Sequence, residues 1–464
     1  MFGCFKKKAV ESVLATERSS QLNRVLGATD LILLGLGSIV GTGVFLLTGL
    51  VAATKTGPAV VAAFAIAGFT SMLVALVYTE LASMLPTAGS NYTYTQIAFG
   101  ELPACWMGGV FMLELGCAIA AVAASWSGYL QTILVAIGRP FPDKLTKVPS
   151  AGGLFNLPAM MIIAFVGLML YWGTKESKRV NNVLVLVKMT AISLFVILAL
   201  PHVDPKNWVP FIPFGVGSLA GGSATLFFAY TGFGSLATTA EECKNPRRDL
   251  TVGIIGSLLI ATLLYVIVGL LLTGIMPYHQ LNNSSPLADA LKMNGHNLGA
   301  IIVAMGIVGG MTTVMLMNLY GLSRIFYTMA RDRLLPDTMT RLHPRYGSPH
   351  RILMALTILL MIVAGCLPCE VLIELCSAGA LIDYMVAMMI VMRFRTTLPA
   401  MRRPFKTPFL FLTAPLALLI CAYLLLGQLF GKGAVLLPVA YHLIIFFGLL
   451  SFFYGLSKQL KKAR

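Results

Sequence analysis

Two short stretches of this 464-residue chain carry residue types that can hold a small charged molecule with the backbone alone. In the first, Gly35, Gly37, Gly41 and Gly43 crowd the middle of an apolar run, ending in Gly41-Thr42-Gly43. Glycine inside a helix costs about 1 kcal/mol relative to alanine. Close packing through small residues accounts for any one of them. A G-x-G within a span also lets the helix stop and restart. The restarted half then begins with amide N–H groups that lack an internal acceptor, and these attract a carboxylate together with the helix dipole. In the second stretch, Phe227-Phe228-Ala229-Tyr230-Thr231-Gly232-Phe233-Gly234-Ser235 puts two glycines and an aromatic cluster in mid-run. Unwinding near Tyr230–Gly232 frees carbonyl oxygens that accept from an ammonium. Donors at one break and acceptors at the other suit an α-amino acid. Such a clasp treats all side chains alike, so selectivity must come from elsewhere.

Two ionisable residues also fall inside apolar runs. Lys188 lies in Val183-Leu184-Val185-Leu186-Val187-Lys188-Met189-Thr190. A charged lysine at a helix centre costs at least about 2.5–3.5 kcal/mol. Either it snorkels to the cytoplasmic surface past Asn181-Asn182, or it is buried and reversibly protonated. Glu114 sits mid-span in the third run, as a structural hydrogen-bonding carboxyl or as a group that balances Lys188 or exchanges protons with it. Glu80, Glu241 and Glu242 lie near span ends and are expected to pair with arginines such as Arg331 or Arg248.

These residues need helices to position them. The chain is 57% hydrophobic and 11% charged, with mean hydropathy +0.83, against about a quarter charged in soluble proteins. Apolar runs last about 20 residues, the length that crosses a hydrocarbon core as a helix; barrel strands are about half as long. The reading is an all-α membrane protein of about twelve spans, near 28–52, 59–80, 103–137, 156–173, 181–201, 212–238, 251–276, 298–327, 351–368, 370–393, 409–430 and 434–457. The third and eighth exceed the bilayer and should tilt or project. Glycine-interrupted spans one and six are five apart, the spacing of two inverted five-helix repeats with substrate at their interface. Segments 27–203 and 204–396 are those repeats. Residues 1–26 form a cytoplasmic tail, and 397–464 hold the last two spans and a second cytoplasmic tail.

The net charge of +16 is spread over the connections rather than gathered on an arm or face, so it marks membrane topology and not nucleic acid. With the N-terminus inside, 26 Lys and Arg face the cytoplasm and seven the exterior, with Lys188 within a span. This places both termini in the cytoplasm. The first 26 residues lack an apolar core, so the first span is expected to direct insertion. Cys366 and Cys369 form a lone C-x-x-C without a second pair, and the six histidines show no ligand pattern, so no metal or cofactor is expected. There is no G-x-x-x-x-G-K-[ST] loop for ATP and no nucleophile–base constellation for an enzyme. A channel or receptor remains the alternative to a carrier.

In order and spacing, several strings resemble the amino acid–polyamine–organocation superfamily, in its cationic amino acid transporter branch and bacterial type. They are Gly37-Ser38-Ile39-Val40-Gly41-Thr42-Gly43-Val44-Phe45, Tyr78-Thr79-Glu80-Leu81, Trp126-Ser127-Gly128-Tyr129, Ala240-Glu241-Glu242-Cys243-Lys244-Asn245-Pro246, Met329-Ala330-Arg331-Asp332 and Arg403-Pro404-Phe405-Lys406-Thr407-Pro408. The resemblance covers nearly the whole chain. It implies that the Thr42 and Gly43 amides hold a substrate carboxylate, that carbonyls of Ile39, Phe228 and Thr231 hold the α-amino group, and that Phe228 is a gate. It also implies proton coupling through Lys188, since sodium-coupled relatives bind a cation there; exchange without ion coupling is the alternative. Gly234 departs from the family, which often has an acid at that position. With few acids available to a cationic side chain, small neutral amino acids are at least as well suited as arginine. The expected partners are the amino acid and membrane lipids, with the chain monomeric or joined by a small membrane subunit. The expected location is a bacterial inner membrane, with the proton as the one coupling ion.

Overall fold

The computed structural model describes residues 8–9, 26–172, 174–283, 285–430, 441–448, 450–451 and 454. They form helices and connections, with no strand among the described residues. Seven helices are long and apolar enough to cross a membrane, and Ala28–Ile39, Leu157–Tyr171 and His350–Cys366 are shorter apolar helices. With the broken segment 218–242, these account for eleven of the expected spans. Span 1 joins Ala28–Ile39 to the turns at 43–56. Spans 2 to 5 are Val60–Met84, Glu101–Ala136, Leu157–Tyr171 and Thr174–Ala199. Span 6 covers 218–242, and spans 7 to 11 are Pro246–Ile275, Asn297–Arg331, His350–Cys366, Cys369–Thr397 and Leu410–Phe430. The twelfth, expected at 434–457, lies largely outside the described residues, although 441–448 are helical. Most of the first 26 residues also lie outside them.

Hydropathy misplaced or missed some elements. Span 5 begins at Thr174 rather than 181, because its first turns are polar and extend beyond the apolar run. Ser90–Ala98 forms a helix between spans 2 and 3 that is buried along its whole length despite a polar sequence. Spans 3 and 8 run to 36 and 35 residues, about 50 Å at 1.5 Å per residue.

The packing has an internal symmetry. Span 1 packs on span 7, and span 6 on span 2; span 3 packs on span 10, and span 8 on span 5. Spans 2 and 7, 3 and 8, and 4 and 9 also pack on each other. Exchanging each of spans 1–5 for the span five along leaves this set of pairings unchanged. Because five is odd, the two sets cross in opposite senses, which is the inverted arrangement expected from the five-span offset of the glycine-interrupted spans. The start of span 1 is also tied to the end of span 6: the Leu26 N–H donates to Glu242 O at 3.0 Å, and the Lys244 N–H to Leu26 O at 2.8 Å. We call the surface holding these ends, and those rich in arginine at 324–351 and 393–406, the basic face. The opposite one is the far face.

Candidate functional site

In span 1 the helix ends at Ile39, and Val40 is extended (φ −78°, ψ 99°). The next helical bonds run to Gly41 O from the Val44 and Phe45 amides, both at 3.2 Å. The N–H groups of Gly41, Thr42 and Gly43 therefore precede the first bond of the second half, and no acceptor among the described residues lies on them. Thr42 Oγ1 is buried and also without a partner. The glycines serve close approach: a Cβ on Gly43 would fall 2.3 Å from Ala229 Cβ, and one on Gly41 2.8 Å from Val314 Cγ2. None of the four has a positive φ. Packing and break thus coexist in this stretch, and the chain changes direction at Val40.

Span 6 is helical to Leu226, tightens into a 3₁₀ turn at Phe227–Tyr230, and opens at Thr231 (φ −65°, ψ 157°). Gly232 has φ +100°, a left-handed conformation that a Cβ would strain. A Cβ there would also fall 2.6 Å from Ser38 Oγ. The unwinding lies where the aromatic–glycine stretch foretold it. Gly43 against Ala229 brings the two breaks into contact.

Many of the carbonyls at these breaks are already occupied. Tyr265 of span 7 places its hydroxyl 2.9 Å from both Ile39 O and Ala229 O. Phe228 O accepts from the Thr231 amide at 3.1 Å and from Thr231 Oγ1 at 2.8 Å. Gly232 O lies 3.0 Å from Ser38 Oγ and 2.6 Å from Ser235 Oγ. Of the three carbonyls expected to hold an amine, only Thr231 O has no donor among the described residues. Phe228 is buried at the break.

Lys188 is fully buried and does not snorkel. Its Nζ donates to Leu36 O at 2.7 Å, Val40 O at 2.9 Å and Gly37 O at 3.2 Å, and lies 3.1 Å from Thr313 Oγ1. These carbonyls form the negative end of the first half of span 1, so the helix dipole and three acceptors stabilise the ammonium. The Thr313 hydroxyl lies 3.0 Å from Gly37 O and 2.7 Å from Gly310 O and shares its one proton between them. Glu114 is not among the partners of Lys188. It sits in a π-helical turn at Met112–Gly116, accepts from the Tyr384 hydroxyl at 3.4 Å, and has its other oxygen buried without a partner. Beside Tyr384, Asp383 accepts from Asn91 at 2.8 Å and also leaves one oxygen unpaired. Tyr384 in turn stacks on Phe233 and packs on Phe227 of the span 6 break.

Sequence reading overlooked Asp383, Tyr384, Tyr265, Ser38 and Asn318, whose Oδ1 is 2.8 Å from Ser38 Oγ. An ionisable residue mid-span is itself a signal, and Asp383 met that test. Two of the three acids near the basic face have partners other than those expected, and the side chain of Glu241 lies outside the described residues. Glu242 pairs with Arg324 at 2.9 Å and accepts from the Tyr320 hydroxyl. Glu80 holds Arg395 at 2.8 Å and Arg403 at 3.3 Å. These contacts tie span 6 to span 8, and span 2 to span 10 and the segment after it, near the basic face. On the other side, a cavity of about 600 Å³ lies between Leu47 and Val51 of span 1, Ala224 of span 6 and Ser377 of span 10, with Lys55 and Glu374 also lining it.

Known proteins share this architecture's sequence. A family model described as amino acid permease matches residues 26–455. A methylthioribose transporter of Bacillus subtilis is 41% identical over 88% of this chain and 89% of its own length. A branched-chain amino acid permease of the same organism is 40% identical over 91% of this chain and 92% of its own. Cationic amino acid transporter 4 of Mus musculus is 34% identical over 85% of this chain and 64% of its own length. The breaks, their buried lysine and these matches have one meaning: the chain belongs to the amino acid permease family of the amino acid–polyamine–organocation superfamily, integral membrane transporters rather than enzymes.

Proposed function

We propose that this protein carries amino acids with small or branched uncharged side chains across a bacterial cytoplasmic membrane by alternating access, in symport with protons. The observation that carries the reading is the pair of breaks in contact, with unaccepted amides at Gly41, Thr42 and Gly43 facing one group and the open carbonyl of Thr231 the other. The amides bind the carboxylate and Thr231 O takes the ammonium, while Phe228 closes over both. The basic face is the cytoplasmic one, by the 26-to-seven distribution of Lys and Arg, which puts both termini inside. The relatives named for branched-chain amino acids and methylthioribose both act on molecules without a cationic side chain. They favour the neutral choice and leave room for a thioether.

Lys188 is the proposed coupling group. As an ammonium it has three N–H donors for three carbonyls of span 1; as an amine it has two, so losing the proton weakens the hold of span 5 on the break. The fixed acceptors around Lys188 also suit a permanent structural cation, and that observation favours the second reading, exchange without ion coupling. Purified protein in liposomes separates these readings. A panel of twenty amino acids and methylthioribose competing against labelled valine should give saturable, counterflow-capable uptake inhibited by neutral amino acids. An imposed inward proton gradient should drive valine uphill. Uptake without saturation or counterflow would reject a carrier, and counterflow without gradient-driven accumulation would leave exchange.

A further inference from the structure

On the membrane-facing side of spans 3 and 10, remote from the breaks, lies a second cavity of about 440 Å³. Its lining is Thr95 and Phe99 beside span 3, Pro103, Trp106, Met107 and Val110 of span 3, Ile382, Val386 and Met389 of span 10, and Phe447. Span 3 leaves the basic face at Glu101, and span 10 reaches it at Thr397. The cavity is thus a groove running from the basic surface inward, with Phe99 at its mouth and Val110 and Ile382 at its floor. Trp106 and Met389 are each about two-fifths exposed, so the groove opens sideways toward lipid.

Charge at the mouth identifies the occupant. Met389 continues along its stripe to Arg393, one turn nearer the surface, and the Arg393 guanidinium lies 5.2 Å from the centre of the Phe99 ring. Of the neighbouring arginines, Arg395 and Arg403 share the one carboxylate of Glu80. Among the described residues no carboxylate lies within ion-pair distance of Arg393. An apolar track ending in an uncompensated guanidinium, at the depth where headgroups sit, matches an acyl chain joined to a phosphate.

We propose that this groove binds one anionic phospholipid, with an acyl chain along Met107, Val110, Val386 and Met389 and its phosphate on Arg393. Phosphatidylglycerol serves as the probe. The site bears on transport because the same helix presents Asp383 and Tyr384 on its inner side. A chain in the groove therefore presses on the helix that flanks the span 6 break.

The test is native mass spectrometry of the full chain, released from bilayers of equal parts phosphatidylglycerol and phosphatidylcholine. Wild type should keep one phosphatidylglycerol in preference to phosphatidylcholine. Arg393→Gln should lower that preference about fivefold, the effect of one basic side chain near an anionic surface, while Arg393→Lys retains most of it. Val386→Trp, which fills the groove and leaves the charge, should expel lipid of either kind. Labelled-substrate counterflow by each variant confirms folding. Equal retention of the two lipids by wild type, an unchanged preference in Arg393→Gln, or full retention in Val386→Trp would each overturn the assignment, as would a neutral sterol displacing phosphatidylglycerol at equal concentration.

Discussion

Replacing Lys188 by methionine removes the ammonium while keeping the volume of the stem, so its consequences follow from hydrogen bonds rather than from a cavity. Three carbonyls lose a donor, but unequally. Leu36 O still accepts from the Val40 amide at 3.1 Å, and Gly37 O from Thr313 at 3.0 Å. Only Val40 O is left with no donor among the described residues. An orphaned buried acceptor costs about 1–3 kcal/mol, so the state with this arrangement should lose about that much, not three times it. Between states that keep and release the arrangement, the shift is about 5- to 150-fold. In liposomes with an inward proton gradient, Lys188→Met should fail to accumulate labelled valine, while counterflow persists at a reduced rate. Lys188→Arg is the complementary case, because its charge is permanent; it too should lose gradient-driven accumulation. Uphill uptake at the wild-type rate by Lys188→Met refutes the coupling role. Uphill uptake by Lys188→Arg with loss in Lys188→Met would reduce Lys188 to a structural cation.

Gly43→Ala should abolish transport in a folded protein, since its Cβ would meet Ala229 Cβ at 2.3 Å and Ala229 Cα at 2.5 Å; such overpacking costs about 1–3 kcal/mol. Adding Ala229→Gly should restore part of the uptake, and no restoration would mean that the breaks do not need this contact. Tyr265→Phe removes the one hydroxyl between Ile39 O and Ala229 O, leaves buried acceptors without it, and should lower stability by about 1–3 kcal/mol while weakening valine binding, read by thermal unfolding with and without valine. Arg324→Leu strands Glu242 in a buried site and should cost about 3–5 kcal/mol. The double variant with Glu242→Leu should recover most of it in the same unfolding assay, unless the pair contributes nothing to the tie between spans 6 and 8.

Much of this was legible because membrane burial leaves large signals. Runs of apolar residues placed most of the described spans to within a few residues, span 5 starting seven earlier than its run, and a five-span offset between glycine clusters matches the symmetry seen in the packing. What escaped were contacts made between distant segments. Nothing local distinguishes Tyr265, in Leu263-Leu264-Tyr265-Val266, from an ordinary buried aromatic until its hydroxyl is seen between two breaks. The lysine was read as buried or snorkelling with no local signal to decide, because its acceptors lie some 150 positions upstream. Glu114 was read either as a structural hydrogen-bonding carboxyl or as a group that balances Lys188 or exchanges protons with it, and nothing local decided between the two. The π-helical turn that directs Glu114 toward Tyr384 leaves no mark in the periodicity. The glycines of span 1 were read both as close-packing residues and as a place where the helix can stop and restart. Close packing explains them as they stand, and the conformational freedom of glycine is needed at Gly232.

The two ends of the proposed clasp are not equivalent. At the first break the protein supplies donors for its own carbonyls: Lys188 for Leu36, Gly37 and Val40, and Tyr265 for Ile39. Among the described residues it supplies no acceptor for the amides of Gly41, Thr42 and Gly43 or for the proton of Thr42 Oγ1. Buried donors left unpaired are costly, and here three amides and a hydroxyl converge where a helix dipole is positive. A carboxylate satisfies all of them at once, whereas the amine has one open carbonyl, Thr231 O, and shares of occupied ones. Recognition should therefore weigh the acid above the amine. Methylating the amino group of valine should reduce competition modestly, and converting its carboxylate to an amide should remove it. Equal losses from both changes would contradict this asymmetry.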